Sequence, residues 1–330
     1  MIGLAKVASG EGFVELTERP ERAPEAGEVA VDVHAVGICG TDLHIWLGEY
    51  PSVPPVTMGH EVCGTVAAVG EGVDGDWSGA RVAVETFFST CGVCAFCRAG
   101  KLSVCEQRRS IGTHVDGGFA PRLVLPARCL HRVPEALPDA AAALSEPLAC
   151  VCNSVLDPNA VQPGDDVLVV GPGAIGLIAA QVARACGGRV TVRGAPRDRA
   201  RLSLAGDLGF ETSVAGDPAP AADVVVECSG AERGIADALG AARRRGRVVQ
   251  MGLRGADVTV PYDLICFHEL TVTAGFASNP ASWRRAMKLL AAGEVGLEPL
   301  VTEVLPLAEW RRAFDASRAG EGVKFVLDPR

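Results

Sequence analysis

Residues with the chemistry and spacing of metal ligands occur early in the chain. Cys39 lies in the run G-I-C-G-T-D-L-H, and His60 and Glu61 close the run G-H-E. A thiolate and an imidazole are ligands that zinc favours, and Glu61 adds a carboxylate beside the histidine. Thr41 and His44 are close enough in sequence to Cys39 to move protons near it. Taken alone, the same residues also fit a packed cysteine and ordinary surface side chains.

A second group of cysteines has a more specific spacing. The run C-G-V-C-A-F-C is followed by a fourth cysteine after seven further residues, which gives the set Cys91, Cys94, Cys97 and Cys105. Four thiolates fill a tetrahedral zinc shell and leave no position for a substrate, so this spacing predicts a structural zinc site. Iron–sulfur ligation and accidental clustering are the alternatives.

The composition excludes several classes of protein. A length of 330 residues predicts two domains, and a net charge of −9 argues against a nucleic-acid surface. No apolar run reaches the ~18–20 residues of a membrane span, and residues 1–12 lack the pattern of a secretory signal. Twelve cysteines in such a chain suggest metal ligands and buried thiols rather than disulfides. We therefore expect a cytoplasmic protein without nucleic-acid or membrane partners.

The elements that must position these residues change character near residue 155. Before it, short alternating strands separated by Gly and Pro, such as 28–36 and 63–69, predict a β-rich, partly barrel-like domain. After it, strands alternate with helices, beginning with the apolar strand 166–170 and the helix 175–186. This rhythm predicts a parallel sheet of βαβ units.

The apolar strand leads directly into G-P-G-A-I-G and then into the helix. A G-x-G-x-x-G run in this context predicts dinucleotide binding, because its glycines let the backbone approach a pyrophosphate at the helix N-terminus. The expected cofactor-binding residues are Gly171, Gly173, Ala174, Ile175 and Gly176.

The end of the second strand bears on the type of cofactor. NAD sites usually have an acidic residue there to bond the ribose 2′-hydroxyl, but this chain has Gly194. Arg193, Arg197 and Arg199 could instead hold a 2′-phosphate, so the sequence favours NADP over NAD. Asp198 is a late alternative partner for a hydroxyl, and a solvated arginine-rich loop is the simpler interpretation of each arginine.

In combination, these motifs resemble the zinc-dependent medium-chain dehydrogenases over almost the whole chain. The matching stretches are C-G-T-D-L-H, G-H-E, the four-cysteine loop, G-P-G-A-I-G and V-V-E-C-S-G at 225–230. The resemblance implies an α/β protein in which a discontinuous, GroES-like β-rich catalytic domain accompanies a doubly wound Rossmann domain. We expect the catalytic domain at 1–152, the Rossmann domain at 153–290, and a return to the catalytic domain at 291–330.

The resemblance also implies roles for individual residues. Cys39 and His60 match the catalytic zinc ligands, and Glu146 stands where classical alcohol dehydrogenases have a cysteine ligand. That substitution is similar to the sorbitol (polyol) and threonine dehydrogenase branch, in which Glu61 can ligate the zinc and the residue matching Glu146 either ligates it directly or holds the zinc-bound water.

Further roles concern the proton and the cofactor. Thr41 and His44 match a relay that passes a proton through the cofactor ribose to solvent. Cys228, in V-V-E-C-S-G, is expected at the cofactor.

The implied activity is hydride transfer between a secondary alcohol and NAD(P), giving a ketone. A polyol, cyclitol or amino alcohol is the expected substrate class, and a simple secondary-alcohol dehydrogenase or ketone reductase is the alternative. A catalytically silent NADP-binding sensor would not need the ligand set, and a zinc-free enoyl or quinone reductase would lack both metal sites. The resemblance also implies a homo-oligomer, either a dimer or a tetramer.

Overall fold

The computed structural model describes residues 1–330 and divides them into two compact units. The first comprises Met1–Glu146 and Leu297–Arg330, and the second comprises Pro147–Gly296. The divisions fall at 146/147 and 296/297, where the sequence predicted 152/153 and 290/291.

The strands and helices are numbered here in chain order. The strands are β1 (Ile2–Lys6), β2 (Val14–Glu18), β3 (Glu28–Gly37), β4 (Val56–Thr57), β5 (Glu61–Val69), β6 (Arg81–Val84), β7 (Phe87–Ser89), β8 (Arg109–Ser110), β9 (Arg122–Pro126), β10 (Leu130–Arg132), β11 (Asp166–Val170), β12 (Arg189–Gly194), β13 (Glu211–Val214), β14 (Ala222–Glu227), β15 (Ala242–Gln250), β16 (Thr271–Ala274), β17 (Val301–Pro306) and β18 (Lys324–Asp328). The α-helices are α1 (Gly40–Trp46), α2 (Ala95–Arg98), α3 (Asp139–Ala143), α4 (Ser145–Val155), α5 (Ala174–Ala185), α6 (Arg199–Asp207), α7 (Glu232–Ala241), α8 (Asp263–Phe267), α9 (Pro280–Ala291) and α10 (Trp310–Ala319). Short 3₁₀ turns cover Leu102–Val104, Ala127–Cys129, Pro196–Asp198, Glu298–Leu300 and Leu307–Glu309.

The first unit is built around a seven-stranded sheet. Its order is β10-β6-β5-β3-β18-β17, and β9 also pairs with β3. The alternating valines of β3 are fully buried, as the strand pattern predicts. Strand β18 pairs antiparallel with the end of β3, where Val326 lies opposite Gly37. The C-terminal segment therefore joins the sheet that carries the metal-ligand motifs.

The second unit contains a six-stranded parallel sheet with the order β13-β12-β11-β14-β15-β16. This is the Rossmann strand order. The apolar runs of β11 and β14 are buried on both faces, because helices cover a parallel sheet from two sides. The prediction of a GroES-like unit with a Rossmann unit is confirmed. None of the helices combines the length and apolar character needed to cross a membrane.

Two helices near the ligand motifs have weak signatures in the sequence. Helix α1 begins after Cys39, which is an unusual N-cap residue, and the Asp42 carboxylate accepts the Cys39 backbone N–H at 2.9 Å. Helix α4 begins at S-E-P-L and includes a proline in its first turn. The proline is tolerated there because the N–H that it lacks would have no partner inside the helix. These two helices carry Thr41, His44 and Glu146.

Candidate active site

Three of the predicted zinc ligands come together in the first unit. The Cys39 Sγ atom, a His60 ring nitrogen and a Glu61 carboxylate oxygen all lie within 4.8 Å of one another. Cys39 follows the end of β3, while His60 and Glu61 lie at the start of β5. A soft thiolate, an imidazole and a carboxylate at this separation fit a zinc ion. We call these three residues the Cys39 cluster.

Two glycines make room for the Cys39 cluster. Gly37 lies opposite Glu61 across the β3–β5 pair, and a Cβ atom on Gly37 would be 2.0 Å from Glu61 Oε2. Gly59 precedes His60 with φ +86°, and a Cβ atom there would be 2.8 Å from the Phe119 ring. Both positions therefore require glycine for steric reasons.

The Asp42 carboxylate lies next to the Nδ1 atom of His60. Its buried carboxylate oxygen Oδ1 is 3.8 Å from His60 Nδ1 and has no hydrogen-bond partner. Burial raises the pKa of the Asp42 carboxyl, although His60 lowers it. Burial lowers the pKa of His60, but Asp42, Cys39 and Glu146 together outweigh this effect, and the pKa stands well above its ordinary value. A carboxylate behind a ligating histidine fixes the ring and raises its basicity. Asp42 lies within the C-G-T-D run, but no sequence pattern predicted its role.

Lys324 is a second residue that the sequence analysis did not identify. Its ammonium donates to both Glu61 oxygens, at 2.7 and 2.8 Å, and to the Ile38 carbonyl at 2.9 Å. The side chains of Lys324 and Glu61 are only 6% and 1% exposed. Burial lowers the pKa of Lys324, but Glu61 and Cys39 raise it above its ordinary value. Glu61 is thus both a candidate ligand and half of a buried ion pair.

Glu146 lies near the Cys39 cluster but outside the set of atoms within 4.8 Å. Its carboxylate is buried and accepts a hydrogen bond from Thr86 Oγ1 at 2.8 Å. Its charge is among those that raise the pKa of His60. The geometry therefore favours Glu61 over Glu146 as the third ligand.

The two predicted relay residues lie on α1. Thr41 Oγ1 is 3.7 Å from Cys39 Sγ, which places this hydroxyl beside the candidate metal ligand. His44 is one turn further along and its Nδ1 is 2.7 Å from Glu49 Oε2. In the same unit, Trp46 packs against the hydrophobic core, Phe87 is buried, and Glu85 is buried against His131.

The four predicted structural ligands also converge. Sulfur atoms of Cys91, Cys94, Cys97 and Cys105 lie within 4.8 Å of one another. The backbone N–H of Cys94 points at Cys91 Sγ and that of Cys97 at Cys94 Sγ, each at 3.4 Å. The backbone N–H groups of Cys94 and Val93 lower the pKa of Cys91 to about 6. Four sulfur donors fit a closed tetrahedral zinc site. We call these residues the four-cysteine cluster.

In the second unit, the glycines of G-P-G-A-I-G have three distinct geometries. Gly171 has φ +101°, and a Cβ atom on it would be 2.8 Å from the Ser229 backbone nitrogen. Gly173 faces open space and caps α5 without any side-chain bond, so the N–H groups at the start of α5 stay open. A Cβ on Gly176 would be 1.8 Å from the Gly171 carbonyl oxygen. This arrangement fits a dinucleotide pyrophosphate. Ala174 and Ile175 form the first turn of α5.

The three arginines at and beyond the end of β12 are placed differently from one another. Arg193 is 3% exposed, and its guanidinium donates to Ser213 Oγ at 2.6 Å and to the carbonyls of Val214 and Asp217. Its Nε atom is also 3.5 Å from Asp237 Oδ2. The structure therefore does not offer Arg193 to a phosphate, and the prediction for this residue needs correction.

Arg197 and Arg199 remain exposed. The Asp198 carboxylate accepts the Ala195 backbone N–H at 2.9 Å, so this acid has a local structural role. A Cβ on Gly194 would be 2.9 Å from the Pro172 ring, which explains why a glycine replaces the usual acid.

Cys228 lies beside the glycine-rich turn, because its backbone N–H donates to the Val170 carbonyl at 2.8 Å. Burial and then Glu227 raise the pKa of its thiol well above the ordinary value. Glu227 is fully buried and accepts from the backbone N–H groups of Ser229 and Gly230 and from Gln250 Nε2 at 2.7 Å. This carboxylate therefore fixes the loop that packs on Gly171.

Comparison with known proteins identifies the family. Residues 25–135 match the family model of the alcohol dehydrogenase GroES-like domain, and residues 174–292 match that of the zinc-binding dehydrogenases. A sorbitol dehydrogenase of Halalkalibacterium halodurans is 35% identical over 342 residues, covering 100% of this chain and 99% of the relative. The chain belongs to the zinc-dependent medium-chain dehydrogenases. The resemblance drawn from the sequence motifs is confirmed, including its polyol branch.

Solved structures that are similar to this chain support the same assignment. The E. coli CFT073 protein rspB, described as a short chain alcohol dehydrogenase and complexed with NADH, has a TM-score of 0.89 and 28% identity, with 99% of both chains covered. A candidate zinc-binding dehydrogenase of Sinorhizobium meliloti 1021, bound to NADP, has a TM-score of 0.89 and 32% identity, again with 99% of both chains covered. This chain is thus an alcohol or polyol dehydrogenase by family, with zinc and a nicotinamide as the expected cofactors.

Proposed function

We propose that this dehydrogenase oxidises a secondary alcohol bearing a neighbouring hydroxyl or amino group, such as a polyol, cyclitol or amino alcohol, to the ketone. The observation that carries the proposal is the convergence of Cys39, His60 and Glu61 with a further buried carboxylate, Glu146, nearby. A second substrate oxygen or nitrogen can interact with such a carboxylate-rich site. The similarity to a sorbitol dehydrogenase supports the same class.

Each residue of the site would have a separate role in this reaction. Bound zinc would lower the pKa of the substrate hydroxyl as a Lewis acid, and bound nicotinamide would accept the hydride. Cys39 and His60 would hold the metal, with Glu61 as the third ligand, and Asp42 would fix the His60 ring through Nδ1. Thr41 Oγ1, beside Cys39, would receive the hydroxyl proton by hydrogen bond, and His44 would pass it outward.

We further propose that the preferred cofactor is NADP. Exposed Arg197 and Arg199 follow a strand that ends in Gly194 rather than in an acid. Replacing Arg197 and Arg199 together by glutamine should weaken NADPH binding by about tenfold or more, while NADH binding should stay within about twofold. Nucleotide fluorescence titration measures both constants, and Arg318→Gln, an exposed arginine on α10, is the matched control. Equal losses for the two nucleotides would reject the preference.

A substrate screen tests the proposed reaction. Purified enzyme with its zinc content measured should be assayed with polyols, cyclitols, amino alcohols and simple secondary alcohols, each with NAD and NADP. The proposal expects the highest kcat/KM for substrates with vicinal groups. Preference for simple secondary alcohols or for ketone reduction would select the alternative activity.

Assembly and location are also proposals. We expect a cytoplasmic homo-oligomer, either a dimer or a tetramer. All twelve cysteines are free thiols, which suits a reducing compartment. Light scattering coupled to gel filtration measures the oligomeric state.

A further inference from the structure

The relay histidine has a carboxylate partner that the family motifs do not name. His44 lies in the last turn of α1, and its Nδ1 is 2.7 Å from Glu49 Oε2. The two side chains are 33% and 50% exposed. A carboxylate only accepts hydrogen bonds, so this contact places the His44 ring proton on Nδ1.

The backbone after α1 builds this contact. Gly48 has φ +74°, and a Cβ atom on it would be 2.7 Å from the Gly10 carbonyl carbon. The chain therefore reverses there in a conformation that favours glycine. The backbone N–H groups of Glu49 and Tyr50 then donate to the His44 carbonyl at 2.8 and 3.2 Å. Glu49 is fixed over the last helical turn by its own main chain.

The tautomer of His44 decides what the ring can do. With the proton on Nδ1, the Nε2 atom keeps its lone pair and can accept a proton, whereas the other tautomer would present an N–H. Oxidation of an alcohol to a ketone releases a hydride, which bound nicotinamide would take up, and a proton, which the protein must accept. A relay histidine must therefore offer an acceptor atom at the moment of oxidation.

We propose that Glu49 is a positioning residue for the proton relay, because it holds His44 with Nδ1 protonated and Nε2 open. The proton from the substrate hydroxyl would bind at Nε2, form the imidazolium, and leave from Nε2 to solvent, while the Nδ1 proton stays in the bond to Glu49. This inference rests on the proposed alcohol oxidation and deepens it. Because the pair is half-exposed, its loss should change stability little, so kinetic effects can be interpreted.

The first test observes the tautomer directly. The protein, with its six histidines labelled with ¹⁵N, should show His44 with a protonated Nδ1 and an unprotonated Nε2 above the titration range of histidine, and His44→Asn assigns the signal. Glu49→Ala should convert His44 mainly to the Nε2–H tautomer. Glu49→Gln, which keeps an acceptor oxygen, should restore much of the original pattern. An unchanged tautomer in Glu49→Ala would overturn the proposal.

The second test asks whether the tautomer matters for turnover. Glu49→Ala should lower kcat for alcohol oxidation about tenfold with little change in KM, and added imidazole buffer should restore part of it at fixed pH. Glu11→Ala, an exposed carboxylate beside the same Gly48 turn, should behave like the unmodified enzyme and show no buffer dependence.

The two tests separate failure of this inference from failure of the proposed function. If the unmodified enzyme oxidises alcohols and Glu49→Ala keeps its rate, or loses rate without buffer dependence, Glu49 has no relay role. If no alcohol is oxidised by any form, the proposed function fails, and the relay role fails with it even where the tautomer result stands.

Discussion

The two metal-ligand clusters of the first unit differ in their donor atoms and in their surroundings. The four-cysteine cluster uses four identical donors on one short loop, and its hydrogen bonds come from backbone N–H groups of that same loop. The Cys39 cluster uses three different donors from two separate segments of the chain and is surrounded by buried charged groups, namely Asp42, Lys324 and Glu146. The first arrangement can only hold a metal. In the Cys39 cluster, Asp42 Oδ1 has no hydrogen-bond partner, and Glu61 is held by Lys324 while it is also a candidate metal ligand. A reactive metal site requires such unsatisfied or competing interactions.

The largest expected contrast concerns activity. Cys39→Ser should reduce alcohol oxidation by about 10³-fold or more, because a Lewis-acid metal contributes several kcal/mol to catalysis. Zinc content should fall by about one ion per chain, with the melting temperature little changed. Steady-state kinetics and metal analysis measure these effects. Cys266→Ser removes an exposed thiol as the control, and a fully active Cys39→Ser enzyme would remove the basis for the catalytic assignment.

Cys94→Ser should have the opposite effect, with a loss of stability rather than of activity. Loss of one ligand from a closed site should destabilise the loop, lower the melting temperature by roughly 10 °C and lower solubility. Soluble enzyme that remains should keep its kcat per catalytic zinc. Calorimetry with metal analysis tests this. A stable Cys94→Ser protein with both zinc ions would contradict a structural role for the cluster.

Lys324→Met tests the buried charge beside the Cys39 cluster. Removing one partner of a buried ion pair should lower the free energy of unfolding of zinc-free enzyme by about 3 kcal/mol. Zinc should recover part of that loss if Glu61 ligates it, since the metal then replaces the lost positive charge. Denaturant unfolding with and without zinc measures both, with exposed Lys288→Met as control. A loss that zinc does not change would favour Glu146 as the ligand.

Asp42→Asn should have a smaller effect that is confined to the Cys39 cluster. Removing the charge behind His60 should weaken zinc binding at that site by about 10–100-fold. Competition with a chelator measures the two zinc sites separately, and the four-cysteine site should be unaffected. Asp315→Asn, on the exposed face of α10, serves as control. Equal weakening of both sites would mean that Asp42 acts on folding in general.

The mildest test needs no mutation and uses the pH dependence of thiol labelling. Because the pKa of Cys91 is lowered to about 6, its reactive thiolate should persist as pH falls and decline only near pH 6 in zinc-free protein. Burial raises the pKa of Cys129 to about 12, so that thiol should stay unreactive through pH 9. Iodoacetamide labelling with mass spectrometry measures both, and zinc should protect Cys91. Equal labelling of the two thiols would contradict the assigned environments.

Sequence patterns predicted those parts of the protein whose interacting residues are close together in the chain. The continuous apolar runs of β11 and β14 and the G-x-G-x-x-G turn were sufficient for the Rossmann unit, because strand, turn and helix adjoin in the chain. The four-cysteine cluster was equally clear for the same reason. The four-cysteine prediction depended on residues fewer than twenty positions apart.

The missed features depend on distant contacts. Lys324 meets Glu61 across 263 residues, and no local pattern distinguishes it from a surface lysine at a strand start. Arg193 was predicted at the cofactor, yet Ser213 and Asp237 from neighbouring elements hold its guanidinium inside the unit. Burial of an arginine is a tertiary property, so its position at the end of a strand was insufficient to predict a phosphate contact.

The separation of Lys324 from Glu61 has a consequence for synthesis of the protein. At about 5–20 residues per second, a ribosome needs roughly 13 to 50 s to add the 263 residues between them. During that interval, Glu61 has no ammonium partner, and its strand cannot be buried without leaving a carboxylate uncompensated. The nascent catalytic unit should therefore remain incompletely folded while the Rossmann unit, encoded in between, has all of its strands.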